Sequence, residues 1–237
     1  MKGKINRNQL KYIAILAMLI DHLAWAFVPC RSILGQGMHF IGRLTGPIMA
    51  FMLAEGYQHT RNVKRYAIRL GIFALASWVP YCLNDYGKWP KPFFGVILTL
   101  FLALLTCWMW DKWDAKKPAK IAVVVVMCAL SIMGDWSIWD ILWPLFFVIY
   151  RNDEKKKWRA FLIVAALEIG LSQCIAIFIS KNPYEQAFQV GALLVMPLIR
   201  YGYNGEPGSR NAFHKWFFYV FYPLHLLILF FLKMYIN

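Results

Sequence analysis

The sequence predicts an all-α, polytopic membrane protein: a bundle of about nine transmembrane helices with a cytoplasmic N-terminus. Of the 237 residues, 60% are hydrophobic and only 16% are charged, a balance that soluble domains do not show. A soluble globule and a disordered chain are therefore excluded. The net charge is +14, and the basic residues that produce it lie between apolar runs rather than on polar elements. This distribution indicates membrane topology and argues against a nucleic-acid partner.

Nine apolar segments approach the length that a helix needs to cross about 30 Å of hydrocarbon. They cover residues 10–28, 40–57, 66–83, 93–110, 119–133, 138–150, 158–180, 184–200 and 214–235. The fifth and sixth are the shortest, and brief loops join them all, so we expect one transmembrane domain over residues 1–237. The first segment follows basic residues, as a signal peptide does, but it contains Asp21 and His22, and we expect it to be retained.

The distribution of Lys and Arg supports this number of spans and sets their orientation. Nine spans place 20 of the 26 basic residues on the side of the N-terminus. The exceptions are Arg31, Arg43, Lys88, Lys91, Lys181 and Lys233. By the positive-inside rule, the N-terminus is predicted to be cytoplasmic and the protein to be integral to the inner (cytoplasmic) membrane. The five cysteines form no CxxC pair, so neither a disulfide framework nor a metal site is expected.

Several ionisable side chains fall inside the predicted spans, where Arg, Lys or Asp costs about 2.5–3.5 kcal/mol on insertion scales. They are Asp21, His22, Arg43, Glu55, Glu168 and His225. Each is a candidate for function, or a polar residue that joins two helices by hydrogen bonds. Arg43, Glu55, Glu168 and His225, together with Asp135 outside the spans, are assigned to a substrate cavity. Pro223 is expected to kink the helix that carries His225.

The first span carries the sharpest pattern. Lys11 and His22 are 11 residues apart, which is about three helical turns, so they share one face with the histidine about 16 Å deeper. Buried, neutral His22 is a candidate general base. Asp21 points about 100° away from it and is better placed to bond a neighbouring helix.

Two further charge patterns lie at the ends of predicted spans. Arg61, Arg65 and Arg69 recur every four residues where the third span begins, although like charges at this spacing repel. They suit either lipid head groups or the phosphates of an anionic ligand. Asp135, beside Asp140 on the predicted outer face, either attracts a cationic acceptor or belongs to a turn that caps the sixth helix.

Short motifs along nearly the whole chain resemble the TraX family. They are Leu10-Lys11-Tyr12-Ile13-Ala14, Ile20-Asp21-His22, Gly42-Arg43-Leu44 with Pro47, Glu55-Gly56-Tyr57, Thr60-Arg61, Arg69-Leu70, Asn84, Tyr203-Asn204-Gly205 and Phe221-Tyr222-Pro223-Leu224-His225. The family's named member acetylates the N-terminus of conjugative pilin, and the family resembles transmembrane acyltransferases whose first helix carries a Lys or Arg, ten intervening residues and a His. Lys11 and His22 fit that spacing.

The resemblance implies a membrane-embedded acetyltransferase with cytosolic acetyl-CoA, or another acyl-CoA, as co-substrate. It implies that His22 lies near the transfer point and that basic residues around Arg61, Arg65 and Arg69, to which we add Lys11, hold the phosphates of the donor. Asp21 is placed with His22 as a catalytic candidate. The acceptor stays open: a peptide, a protein N-terminus or a glycan that offers an amine or a hydroxyl.

Two other classes are compatible with the sequence. A proton-coupled transporter or lipid flippase would use the intramembrane ionisable residues as a proton relay and set its arginines against anionic lipid. No clear internal repeat between halves supports this class. A non-catalytic assembly subunit is the third option, and it predicts that His22→Gln leaves function intact.

Overall fold

The computed structural model describes residues 3–209 and 211–236, with the side chains of Ala212 and Lys215 left aside. The described residues form helices and no strand, apart from an isolated bridge between Ile5 and Tyr203. The predicted all-α class is confirmed. Lys2 and Arg210, which belong to the predicted cytoplasmic charge, lie outside the described residues.

Ten α-helices follow one another along the described chain. They are α1 (Arg7–Phe27), α2 (Ile33–Gly42), α3 (Thr45–His59), α4 (Val63–Tyr86), α5 (Val96–Lys112), α6 (Lys117–Ser131), α7 (Trp139–Ile149), α8 (Glu154–Phe178), α9 (Val195–Pro197) and α10 (Ala212–Ile236). A 3-10 helix (Ala187–Leu194) precedes the single turn α9, and a π-helical turn (Leu198–Gly202) follows it.

The expected number of nine spans is corrected by the lengths of these helices. Among the described residues, four helices are long and apolar enough to cross a membrane: Arg7–Phe27, Val63–Tyr86, Glu154–Phe178 and Trp216–Ile236. Helices of 10 to 17 residues rise only about 15–26 Å, which is less than the hydrocarbon thickness. The four long helices indicate a membrane protein.

Two predicted spans are broken by the backbone itself. The segment 40–57 begins inside α2, and the chain turns at Arg43 and Leu44 before α3 starts. The segment 184–200 divides into 3-10, α and π turns instead of one continuous helix. Hydropathy averaged over a window does not detect either break, because both halves of each segment are apolar.

The chain folds into two compact units. The first comprises Met1–Met49, Leu162–Phe221 and Phe231–Asn237. In it, α2 packs against α1 on one side and against the 3-10 helix Ala187–Leu194 on another. The N-terminal segment is attached to the chain after the π turn, since the backbone N–H of Arg7 donates to the carbonyl of Glu206 at 2.8 Å.

The second unit comprises Ala50–Phe161 and Tyr222–Phe230. Its centre is α5, which contacts α4, α6 and α7. A polar cluster closes the C-terminal end of α5: the Tyr57 hydroxyl and the Arg151 guanidinium both donate to the carboxylate of Asp111, at 3.0 and 3.1 Å. Burial raises the pKa of Asp111, but the Tyr57 hydrogen bond and the Arg151 charge outweigh this and hold it below its usual value.

Candidate functional site

The candidate site is built on the buried stripe of α1. Leu10, Ala14, Ala17, Asp21 and Ala24 are all buried and recur at intervals of three and four residues, so they line one helical face. Asp21 therefore occupies a position where the pattern otherwise has an apolar residue. The alanines on either side of it leave room for another helix to approach.

Helix α2 supplies the partners of Asp21. The His39 ring donates from Nδ1 to Oδ1 of Asp21 at 2.8 Å, and Arg43 donates from Nη2 to Oδ2 at 2.6 Å. His39 and Arg43 are one turn apart, so both point to the same side of α2. Gly42 permits the close approach, because a Cβ there would lie 2.4 Å from Oδ1 of Asp21.

Aromatic rings cover the histidine and the arginine. The Trp25 ring centre lies 4.2 Å from that of His39, and the Phe188 ring centre lies 5.0 Å from it. The Arg43 guanidinium sits 5.2 Å from the centre of the Phe188 ring, within the range of a cation–π contact. His39 is completely buried as a result.

Glu168 on α8 adds a second buried carboxylate to this unit. Its side chain is buried and it interacts electrostatically with Arg43. In a neutral imidazole, donation from Nδ1 to Asp21 places the lone pair on Nε2. Such an arrangement suits hydrogen bonding to a donor or transfer of a proton. We call Asp21, His39, Arg43 and Glu168 the His39 cluster.

His22 and Lys11, the residues predicted to act in catalysis and donor binding, lie on the same helix α1. His22 is half-buried and interacts electrostatically with Asp21, whose carboxylate is directed to α2. The Lys11 ammonium lies 5.0 Å from the centre of the Phe218 ring on α10. Next to it, the Tyr12 hydroxyl and Nδ1 of His214 are 2.7 Å apart.

The remaining predicted residues belong to the second unit. Arg61 precedes α4, whose N-cap is Asn62, so only Arg65 and Arg69 are one helical turn apart in this helix. Arg61 and Arg65 are exposed, and the Arg69 guanidinium lies 5.2 Å from the Tyr66 ring centre. The three arginines therefore do not form the uninterrupted helical stripe that their spacing predicts.

Three of the predicted cavity residues also belong to the second unit. Glu55 is half-buried on α3, and Asp135 lies in the turn before α7, where its carbonyl accepts a hydrogen bond from the Thr99 hydroxyl at 2.6 Å. His225 on α10 is buried, with its ring edge-to-face with Tyr222 at 5.6 Å between centres.

Sequence reasoning missed His39. It falls between the predicted first and second spans, so it was not among the ionisable residues assigned to the membrane. One signal was present: His39 and Arg43 are four residues apart, the spacing that places two side chains on one helical face. Hydropathy does not reveal this position, because α2 is a short helix that the apolar pattern does not separate from α3.

The chain matches known proteins over nearly its full length. The family model described as TraX protein matches residues 6–233. The probable fimbrial assembly protein FimC, serogroup H1, of Dichelobacter nodosus is 32% identical over 238 residues, which cover 97% of this chain and 96% of that protein. No solved structure matches the chain.

Proposed function

The chain belongs to the TraX family, and on that premise we propose that it is a membrane-embedded acyltransferase that acts in fimbrial assembly. It moves an acetyl or other short acyl group from cytosolic acyl-CoA to an amine or hydroxyl acceptor at or beyond the outer face of the inner membrane. The name of the fimbrial assembly relative supports a fimbrial subunit as the acceptor. The resemblance to transmembrane acyltransferases supports the reaction.

The pairing of Lys11 and His22 on α1 is the observation that carries the proposal. This helix is long and apolar enough to cross a membrane. Eleven residues of helix separate a basic group near one end from an imidazole about 16 Å deeper on the same face. That separation is comparable with the reach of a pantetheine arm, so a thioester can meet His22 while the nucleotide phosphates stay near Lys11.

The reaction requires a base at the point of transfer. Neutral His22 accepts a proton from the acceptor as its nitrogen or oxygen attacks the thioester carbonyl. The new C–N or C–O bond forms, the C–S bond breaks, and the thiolate sulfur receives the proton from His22. This is direct transfer and needs no acyl-enzyme intermediate.

For the donor, we propose that Arg61, Arg65 and Arg69 contribute to holding the phosphates of CoA. Two of the three are exposed, and guanidinium groups bind phosphate through paired hydrogen bonds. Positive charge near the N-terminal end of α4 opposes the helix dipole, and a bound anion relieves that repulsion. Lys155, an exposed basic residue on α8, provides the matched control.

The test measures binding and turnover separately, with purified protein in detergent. Acetyl-CoA binding is followed by the rise in melting temperature, since a ligand that binds the folded state adds RT ln(1 + [L]/Kd) of stability. Release of the CoA thiol reports turnover. We expect Arg65→Ala to weaken binding, Lys155→Ala to leave it unchanged, and His22→Gln to bind without turnover. Absence of any acyl-CoA binding by the wild type refutes the proposal.

A proton-coupled transporter or flippase is the second candidate. One observation favours it: Asp21, Arg43 and Glu168 are buried in the first unit. Intramembrane ionisable groups of this kind form proton relays in transporters. Proton movement coupled to solute or lipid transport in proteoliposomes, with no CoA release from acetyl-CoA, is the result that selects this class.

A further inference from the structure

The C-terminal end of α5 carries a cluster of charges that the proposed acyl transfer does not use. The Arg151 guanidinium donates from Nη1 to Oδ1 of Asp111 at 3.1 Å, and the Lys112 ammonium lies 3.5 Å from Oδ2 of the same carboxylate. On α6, the Lys120 ammonium donates to the carbonyl of Trp110 at 2.9 Å. All of these residues belong to the second unit. We call Asp111, Lys112, Lys120 and Arg151 the Arg151 site.

Asp111 holds Arg151 in one orientation. The Tyr57 hydroxyl donates to Oδ2 of Asp111 at 3.0 Å, and Tyr57 itself is buried, so the carboxylate is anchored. Asp111 accepts from one of the five N–H donors of Arg151, and no other described residue accepts from this guanidinium. The Arg151 side chain is 40% exposed. An arginine that is oriented in this way can bind a phosphate through paired hydrogen bonds.

The charges around the Arg151 site are mostly positive. Between positions 111 and 120 and at 151 there are five basic and two acidic residues, which leaves a net charge of +3. They are Lys112, Lys116, Lys117, Lys120 and Arg151, with Asp111 and Asp114. The acidic residues that follow Arg151 along the chain, Asp153 and Glu154, are paired with Lys156 and Lys157. The site therefore attracts an anion.

The Arg151 site lies at the level of a membrane surface. Tyr57 reaches Asp111 from the end of α3, shortly before α4 begins, and α4 is long and apolar enough to cross a membrane. Helix α5 packs against α4, and the short connection 87–95 reverses the chain between them. The C-terminal end of α5 is therefore on the same side as the basic start of α4. Trp113, which is 44% exposed, is of a residue type enriched at membrane surfaces.

An exposed apolar surface continues from the basic one. After Lys120, α6 presents Ile121, Val125 and Val126, whose exposed fractions are 52%, 61% and 54%. Of the residues of α6, Ser131 is the one that is buried within the described chain. A basic group at the membrane surface, followed by an exposed apolar helix, matches a phosphate followed by acyl chains. A water-soluble phosphate compound fits only the basic part.

We propose that the Arg151 site binds the headgroup of an anionic phospholipid, with the phosphate on Arg151 and Lys112 and the acyl chains along the exposed face of α6. Basic sites between helices at the cytoplasmic surface bind such headgroups. The inference goes beyond the proposed acyl transfer and is independent of it. The bound lipid joins the α5–α6 hairpin to the turn after α7, and so stabilises the second unit in a membrane that contains anionic lipid.

The experiment measures the melting temperature of the purified protein in neutral-detergent micelles that contain dioleoyl-phosphatidylglycerol or the same mole fraction of dioleoyl-phosphatidylcholine. The two lipids share their acyl chains, so the difference in melting temperature reports the charge of the headgroup. Native mass spectrometry counts the phosphatidylglycerol molecules that stay bound. Inorganic phosphate and acetyl-CoA, each added to the phosphatidylcholine micelles, test water-soluble sources of the same chemistry.

Arg151→Gln is the principal variant, and Lys88→Gln is the matched control. Lys88 is an exposed basic residue of the same unit, next to the opposite end of α4. A basic residue near an anionic membrane surface contributes about 1 kcal/mol, which is about fivefold in affinity. A titration with phosphatidylglycerol should therefore show a loss of at least about fivefold for Arg151→Gln and none for Lys88→Gln. Tyr57→Phe keeps every charge but releases Asp111, and should show a smaller loss.

Other outcomes overturn the inference. Equal losses in Arg151→Gln and Lys88→Gln would show an unspecific attraction between a basic protein and an anionic surface. Equal melting temperatures of the wild type in the two lipids would show that the site has no preference for an anionic headgroup. A rise with inorganic phosphate or acetyl-CoA that Arg151→Gln abolishes would assign the site to a soluble anion. If Arg151→Gln gives no melting transition in phosphatidylcholine, Lys112→Gln, at a side chain that is 69% exposed, repeats the test.

Discussion

Removal of Asp21 should destabilise the protein far more than removal of any surface charge. Asp21→Ala leaves the Arg43 guanidinium and the His39 ring, both buried, without the carboxylate that accepts from them at 2.6 and 2.8 Å. Loss of one partner of a buried ion pair costs about 3–5 kcal/mol. In a chain of this size, 1 kcal/mol shifts the melting temperature by about 2–4 °C, so we expect a decrease of about 6–20 °C.

The matched control is the pair formed by Arg31 and Glu185, whose charged atoms are 3.4 Å apart and whose arginine is 63% exposed. Exposed pairs contribute about 0–1 kcal/mol, so Arg31→Ala should shift the melting temperature by at most about 4 °C. A double variant, Asp21→Ala with Arg43→Met, removes the stranded charge and should recover most of the loss. Melting is followed by intrinsic fluorescence in detergent. Equal shifts for Asp21→Ala and Arg31→Ala, or no recovery in the double variant, would refute the reasoning.

Three further outcomes are expected from single positions. The folded-state pKa of Asp111 lies below its usual value. Its contribution to stability is therefore present above about pH 4 and is lost as the pH falls through the lowered pKa. Between pH 6 and pH 3, the melting temperature of Asp111→Asn should fall less steeply than that of the wild type. Gly42→Ala places a Cβ 2.4 Å from Asp21 and should lower the melting temperature, whereas Gly37→Ala, with nothing within 4 Å, should raise it slightly because alanine favours helix. Lys11→Met should weaken acetyl-CoA binding about tenfold, the loss of about 1.4 kcal/mol, with the maximal rate of CoA release unchanged; unaltered affinity in a titration would remove Lys11 from the donor site.

The helical class and the first helix could be predicted because both follow from local patterns. Composition alone excludes a soluble domain, and the buried positions of α1 recur at helical spacing through Asp21. The start of α1 is also local, since the side chains of Asn6 and Gln9 form a capping box. The number of spans was not predictable in this way, because hydropathy does not distinguish a continuous helix from two short apolar helices separated by a turn at Arg43.

Helix α2 shows what local patterns omit. Ser32 caps its first turn by accepting a hydrogen bond from the backbone N–H of Gly35 at 3.0 Å, a signal that is readable in the sequence. The burial of α2 cannot be predicted from its own sequence, because it depends on a glycine far away along the chain. A Cβ at Gly191 would lie 2.1 Å from the carbonyl oxygen of Phe40, so the absence of a side chain there lets the 3-10 helix approach α2.

This packing decides which histidine is buried. His22, predicted from its depth in a span, is half-buried, while His39, predicted to lie in a loop, is completely buried between Trp25 and Phe188. The carboxylate of Asp21 is directed to α2, so it orients His39 rather than its neighbour in sequence. An adjacent Asp and His are about 100° apart on a helix and cannot form a dyad, whereas a short second helix can supply the histidine. The carboxylate that the sequence places next to His22 therefore serves a histidine of a different helix.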